Sequence, residues 1–366
     1  MTPRAVLYSD EMTALHNIRL VDSGWADEPV DIEFSDTITS IRPAAEPETE
    51  PSRLLLPGLI DTHVHLGDRE RLVTARRSGL TTVVDLGTHP DSRVHELRAD
   101  AELPSILSAG SAASAPGSTQ IEMMGNPEES GVSDPADAAR FLDWRVANGV
   151  DVIKIIAEDP DATEVPALDI PTLTALVDGA HSRGLLSVAH VVTAAAFDRG
   201  LDAGVDILTH APIDRPLEDR TLARMEEQGT IVSPTLVMMR AIADARLGEH
   251  ADAAFEVALN NVRAMIESGI TVIAGTDANE TPFAPVAHGP SLHDEIAYLV
   301  EAGMTTAEAL CAATSSAAEA LELGDRGRIV EGARADLILV HGDPLTDLSV
   351  LRSPAEVWSG GRRLVT

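Results

Sequence analysis

From Leu55 to about residue 320, short apolar runs alternate with longer stretches in which apolar residues recur every three or four positions. The short runs predict strands near 55–63, 80–86, 103–109, 150–157, 185–190, 205–210, 230–235 and 271–276. The run Gly149-Val150-Asp151-Val152-Ile153-Lys154-Ile155-Ile156 is mostly apolar, as expected of a strand covered on both faces. Between the strands, stretches such as 171–181 carry helical spacing behind Pro171, a residue suited to a first helical turn. Eight β/α units in series predict an α/β chain built as a (β/α)8 barrel of the TIM type. Residues 1–55 differ: apolar runs are separated by acidic and proline-rich stretches, ending in 43–51. After about residue 325 the pattern returns to β, in 327–340 and 356–365. The expected organisation is therefore a (β/α)8 barrel over 56–324 and a small β-sandwich domain formed from both termini, 1–55 with 325–366.

Composition narrows the function. The 366 residues hold 59 Asp and Glu against 27 Lys and Arg, a formal net charge of -32. That surplus argues against nucleic acid and anionic membranes as partners. It reads as a solvated acidic surface; an acidic funnel for cationic substrates is the sharper alternative. Cys311 is the single cysteine, so an intrachain disulfide and a cysteine metal cluster are excluded, and any metal must be held by His, Asp, Glu or Lys. The run 1–6 lacks the sustained apolar segment of a signal peptide, and nowhere do 18 apolar residues follow one another. The expected setting is cytoplasmic, the expected partner a small-molecule substrate, with homo-oligomer formation left open.

In a barrel of this type chemistry gathers where strands end. The first strand ends in His63 and His65, which two-residue spacing puts on one face. The fourth offers Lys154, the fifth His190, the sixth His210 and the eighth Asp277. Singly, each has an ordinary explanation: strand-capping or core histidines, a salt bridge from Lys154 to Glu158, a turn cap at Asp277. Jointly, imidazoles and a carboxylate suit zinc or a similar borderline divalent ion. Two such ions would bring +4 into a site with few anionic ligands, and a protonated lysine would repel them. A buried neutral lysine amine can instead add carbon dioxide, giving an anionic carbamate that bridges two metals.

The segment Pro57-Gly58-Leu59-Ile60-Asp61-Thr62-His63-Val64-His65, with Lys154, the two later histidines and Gly275-Thr276-Asp277, resembles the signature set of the amidohydrolase superfamily. Val188-Ala189-His190 with Thr193, Ala203-Gly204-Val205-Asp206 before His210, Val232-Ser233-Pro234-Thr235-Leu236 and Ser291-Leu292-His293-Asp294-Glu295 resemble its prolidase-like, imidazolonepropionase-like and ochratoxin-hydrolysing branch. The resemblance implies a barrel with a small β-domain, two divalent ions and N6-carboxylysine at Lys154. It assigns His63 and His65 to the more buried ion, His190 and His210 to the more exposed one, carboxylated Lys154 as their bridge, and Asp277 as ligand and proton carrier.

The implied reaction is hydrolysis of an amide-type C–N bond in a dipeptide, N-acyl amino acid or cyclic amide by a metal-bridging hydroxide. Asp277 would take the proton and return it to the leaving nitrogen. A lactone or ester hydrolase using the same site is one alternative. A mononuclear deaminase is another, but such enzymes place His-x-x-Glu after the fifth strand, and here His190 is followed by Val191-Val192-Thr193. A scaffold without catalysis should have lost ligands that are present. Candidate substrate contacts are His89 and His293, with Arg69 and Arg240 suited to a substrate carboxylate. The pocket departs from the branch: Val84-Asp85-Leu86-Gly87-Thr88-His89 replaces an Arg-Asp pair, and Glu158-Asp159-Pro160 stands where relatives often have glycines.

Overall fold

The computed structural model describes residues 12–22, 24–25, 28–45, 53–162 and 165–364; the amino-terminal run 1–6 and the acidic stretch 46–50 considered above lie outside them. The strands in chain order are β1 (Thr13–Asp22), β2 (Gly24–Trp25), β3 (Val30–Phe34), β4 (Ile38–Pro43), β5 (Arg53–Pro57), β6 (Leu59–Val64), β7 (Leu80–Asp85) and β8 (Ser105–Ser108). They continue as β9 (Val152–Ile156), β10 (Leu186–His190), β11 (Ile207–Thr209), β12 (Ile231–Ser233), β13 (Leu337–His341), β14 (Glu356–Ser359) and β15 (Arg362–Arg363).

Between β6 and β12 the chain is α/β with parallel pairing throughout. One sheet runs β6-β7-β8 and a second β12-β11-β10-β9. Single parallel bridges extend both: Ala113 to Ile155, Val232 to Val272, and Val64 to Ala278. Helices cover the outer faces, and Ile170–His181 shows why they form. Asp169 accepts a hydrogen bond from the Thr172 amide at 2.9 Å, Pro171 occupies the first turn, and Leu173, Leu176, Val177 and Ala180 line one buried stripe.

Two expectations need correction. The predicted strand 55–63 is two strands. Arg53–Pro57 belongs to the terminal sheet, where it pairs with β13 and β1, and the parallel strand starts at Leu59. Gly58 makes the break possible, because a Cβ there would lie 2.1 Å from Thr81 Oγ1. The predicted strand 271–276 carries one isolated bridge, at Val272, instead of a continuous ladder. Its amides are drawn elsewhere: Ala274 N bonds Ala312 O at 2.9 Å, and Thr276 N bonds the Asp61 carboxylate at 3.0 Å. The segment is still clamped beside β6, through Thr62 N to Ala274 O at 3.0 Å, Asp277 N to His63 O at 2.8 Å and His65 N to Ala278 O at 2.8 Å.

The two ends of the chain meet in one mixed sheet of eight strands, ordered β15-β14-β13-β5-β1-β3-β4 with β2 on β1. Ile18, Ile32, Phe34, Leu55, Leu337, Leu339 and Trp358 form its core. Phe34 and Trp358, on strands that are not neighbours, meet edge to face with centroids 5.4 Å apart, so the sheet folds over on itself. Among the described residues no helix is long and apolar enough to cross a membrane. Phe34→Ala should cost about 3–5 kcal/mol in urea unfolding followed by Trp fluorescence; a loss under about 1 kcal/mol would remove the ring from the core of this sheet.

Candidate metal centre

Strand ends bring distant residues to one point. The carbonyl of His63 accepts the Asp277 amide, which fixes the first histidine pair against the segment that carries the carboxylate. His63 Nε2 lies 3.4 Å and His65 Nε2 3.1 Å from Asp277 Oδ1. His210 Nδ1 lies 3.9 Å from Asp277 Oδ2, and its Nε2 is 2.9 Å from His190 Nδ1. The rings of His63 and His210 have centroids 5.0 Å apart, those of His190 and His210 4.8 Å. His63, His210 and Asp277 each offer a ligand atom, and the three atoms lie within 4.8 Å of one another.

Lys154 sits on β9 beside β10, facing this cluster. It is buried, and its Nζ donates to Thr209 Oγ1 at 3.0 Å. Glu158 forms no ion pair with it and instead places Oε1 3.6 Å from His190 Nε2. Burial drives the lysine pKa down to about 7, although the Asp277 charge opposes the shift. Burial also holds His63 and His190 well below the usual imidazole range and brings His210 to about 4. For Asp277 burial works the other way, but His63 and His65 outweigh it and keep the carboxylate ionised.

A divalent ion fits these residues on an observation of their own. Beyond the His65 Nε2 contact at 3.1 Å, the buried Asp277 Oδ1 has no hydrogen-bond partner, and His63 Nδ1 is buried without one. Several acceptor atoms crowd one point with little proton sharing among them, an arrangement that a cation would satisfy.

Small polar groups beside the expected ligands hold them in place. Asp61 accepts from His63 N at 3.2 Å and from Thr276 Oγ1 at 2.7 Å, and burial raises its pKa to about 7. Thr235 Oγ1 is 2.6 Å from His210 Nδ1. His288 Nε2 is 2.7 Å from the His65 carbonyl, and the Gly87 backbone approaches the His65 ring so closely that a Cβ would meet Cε1 at 2.5 Å. The available signal was weak: a Thr immediately before His210, and an Asp two residues before His63.

Four residues expected at substrate lie elsewhere or apart. Arg69 is paired with Asp100 and Glu102, and Arg240 with Asp244 and Asp252, so carboxylates of the chain occupy both guanidinium groups. His293 is buried on the helix Pro290–Glu301 with Nε2 2.9 Å from the Ser78 carbonyl. Among the described residues none of these three contacts the cluster. His89 is exposed in the turn after β7, next to Thr88, whose hydroxyl bonds Asp85 and the Leu66 amide.

The model of the Amidohydrolase family matches residues 54–364. The chain belongs to the amidohydrolase family. The resemblance read from its motifs is thereby borne out, and the family is one of hydrolases. An uncharacterized protein of Mycobacterium tuberculosis is 31% identical over 330 residues, 84% of each chain. Ochratoxinase of Aspergillus niger is 25% identical over 250 residues, 62% of this chain and 48% of that enzyme. The crystal structure of a Xaa-Pro dipeptidase with methionine bound in its active site superposes with a TM-score of 0.82 at 24% identity, over 96% of this amidohydrolase and 99% of that chain. The ochratoxinase structure superposes at 0.79 and 21% identity, over 96% and 95%.

Two outcomes follow for the amidohydrolase. Between pH 7 and 10.5 the unfolded chain holds a Lys154 proton that the folded, metal-free chain has released, so stability attributable to this residue rises with pH. Metal-free Lys154→Met should therefore be more stable than the parent near pH 7, with the advantage shrinking toward pH 10; an equal gap at both pH values in thermal melts would refute the buried amine. Gly275→Ala would place a Cβ 2.3 Å from Ser233 Oγ and 3.0 Å from His63 N, wedging Asp277 away from the histidines. It should lower zinc affinity at least about tenfold by chelator competition, and wild-type affinity would show that the close approach is dispensable.

Proposed function

We propose that the protein is a binuclear metal-dependent hydrolase of an amide-type C–N bond in a small substrate, with a (β/α)8 barrel as its scaffold. The bridges from Ala113 to Ile155, Val232 to Val272 and Val64 to Ala278 support reading the two parallel sheets as one closed circuit of eight extended segments. On that reading 56–324 form the barrel, and the folded terminal sheet, from 1–55 and 325–366, is the small β-sandwich domain. The observation that carries the function is the buried Lys154, without a carboxylate in ion-pair contact among the described residues and with a pKa that burial pushes down to about 7, so that the uncharged amine is available near neutral pH.

In this reading His63, His65 and Asp277 would hold one ion, His190 and His210 the other, and carboxylated Lys154 would serve both. Zinc suits the imidazole-rich set, and when bound the ions activate water and polarise the substrate carbonyl. Asp277, ionised and oriented by its amide bond to His63, accepts the proton of the attacking water and delivers it to the departing nitrogen. Burial disfavours the charged forms of His63, His190 and His210 and leaves their lone pairs for ligation, whereas the Asp277 contact raises the His65 pKa against burial, so His65 would give up its proton to a bound ion.

Dipeptides, N-acyl amino acids and cyclic amides are the proposed substrate classes, in keeping with a Xaa-Pro dipeptidase and a bottromycin amidohydrolase among the structural neighbours. With Arg69 and Arg240 engaged by carboxylates, His89 is the remaining proposed substrate contact of the original four. Zinc-loaded protein should contain about two ions per chain and hydrolyse members of these classes, and Asp277→Asn, assayed at zinc concentrations that saturate its sites, should reduce kcat by about 100-fold or more. Turnover of lactones alone, or near-parental turnover by Asp277→Asn, would contradict the assignment.

A further inference from the structure

His210 is gripped from behind. Its Nδ1 lies 2.6 Å from Thr235 Oγ1, while Nε2 faces His190 Nδ1 at 2.9 Å. An imidazole that ligates through one nitrogen carries its proton on the other, so whatever accepts that proton selects the ligating atom. Thr235 is fully buried and has φ 48° and ψ 48°, a left-handed conformation that is costly for a β-branched residue. It occupies the N-cap of the helix Leu236–Arg246, where a threonine hydroxyl ordinarily accepts a helix amide, yet it makes no such bond.

The capping is done by another side chain. Glu295, on the helix Pro290–Glu301 and fully buried, accepts from Leu236 N at 3.0 Å through one oxygen and from Val237 N at 2.9 Å through the other. Two acceptors on one carboxyl satisfy the first amides of the helix, and this frees the Thr235 hydroxyl to face the histidine.

We propose that Thr235 and Glu295 are positioning residues for the metal ion held by His190 and His210: Thr235 selects Nε2 of His210 as the ligating atom, and Glu295 holds Thr235 in place. The inference rests on the binuclear reading above and extends it to two residues that touch neither ion nor substrate. It also accounts for the strain, since a relaxed Thr235 would turn its hydroxyl toward the helix.

The test is zinc binding to the full chain, by metal analysis and chelator competition, for the parent, Thr235→Ser, Thr235→Val and Glu295→Gln. Thr235→Val keeps the shape and removes the oxygen, so one of the two ions, that assigned to His190 and His210, should bind about 10- to 100-fold less tightly, while the other is unchanged. Thr235→Ser should restore affinity to within a few-fold of the parent. Glu295→Gln, which has one acceptor oxygen in place of two, should weaken the same ion. Parental affinity for both ions in Thr235→Val, or equal weakening of both, overturns this inference and leaves the binuclear reading standing. Fewer than two ions in the parent overturns both. Should Glu295→Gln fail to fold, the contrast between Val and Ser at position 235 still decides.

Discussion

A lysine amine enclosed with Asp277 and the clustered imidazoles is the constraint on which the rest of this structure depends. Removing an ammonium from water costs several kcal/mol even after relaxation. Lys154 meets that cost by losing its proton more readily, not by pairing with a carboxylate. An amine whose pKa burial lowers to about 7, beside ionised Asp277, gives a site short of positive charge and rich in lone pairs. Divalent ions would supply what is missing, and a carbamate on the lysine would keep their combined charge from exceeding what the ligands can balance.

The scaffold serves this point of convergence from both sides of the chain's length. Residues 59–64 and 271–278 are more than two hundred positions apart, yet three backbone hydrogen bonds lock them side by side. Behind them lies a layer of buried acids and hydroxyls in which Asp61 braces His63 and Thr276, and Asp85 braces Thr88 and Ser108. Burial pushes the pKa values of Asp61 and Asp85 up, so this layer holds the ligands while adding less negative charge than its composition suggests.

Much of this was legible in the sequence where chemistry and periodicity coincide. His63 and His65 stand out by their spacing, and Lys154 by its place between isoleucines in a strand that has no room for charge. What escaped was set by contacts between residues far apart. Gly58 divides one apolar run between two sheets because Thr81 crowds it, which no local pattern announces. The segment 271–276 has strand composition, but Asp61 and Ala312 take the amides that would form a ladder. Arg69 and Arg240 looked suited to a substrate carboxylate, and carboxylates of the chain itself reach them first. Thr235 and Glu295 lay within motifs that marked the family, yet their shared hold on His210 emerges only when two helices are seen together.

The central claim is that Lys154 carries a carbamate when two ions are bound. Carbon-13 NMR of zinc-loaded protein equilibrated with labelled bicarbonate tests it most directly. The account predicts one carbamate signal per chain, absent from Lys154→Met; a protein that binds two ions and shows no such signal, or a signal that survives the substitution, would contradict it.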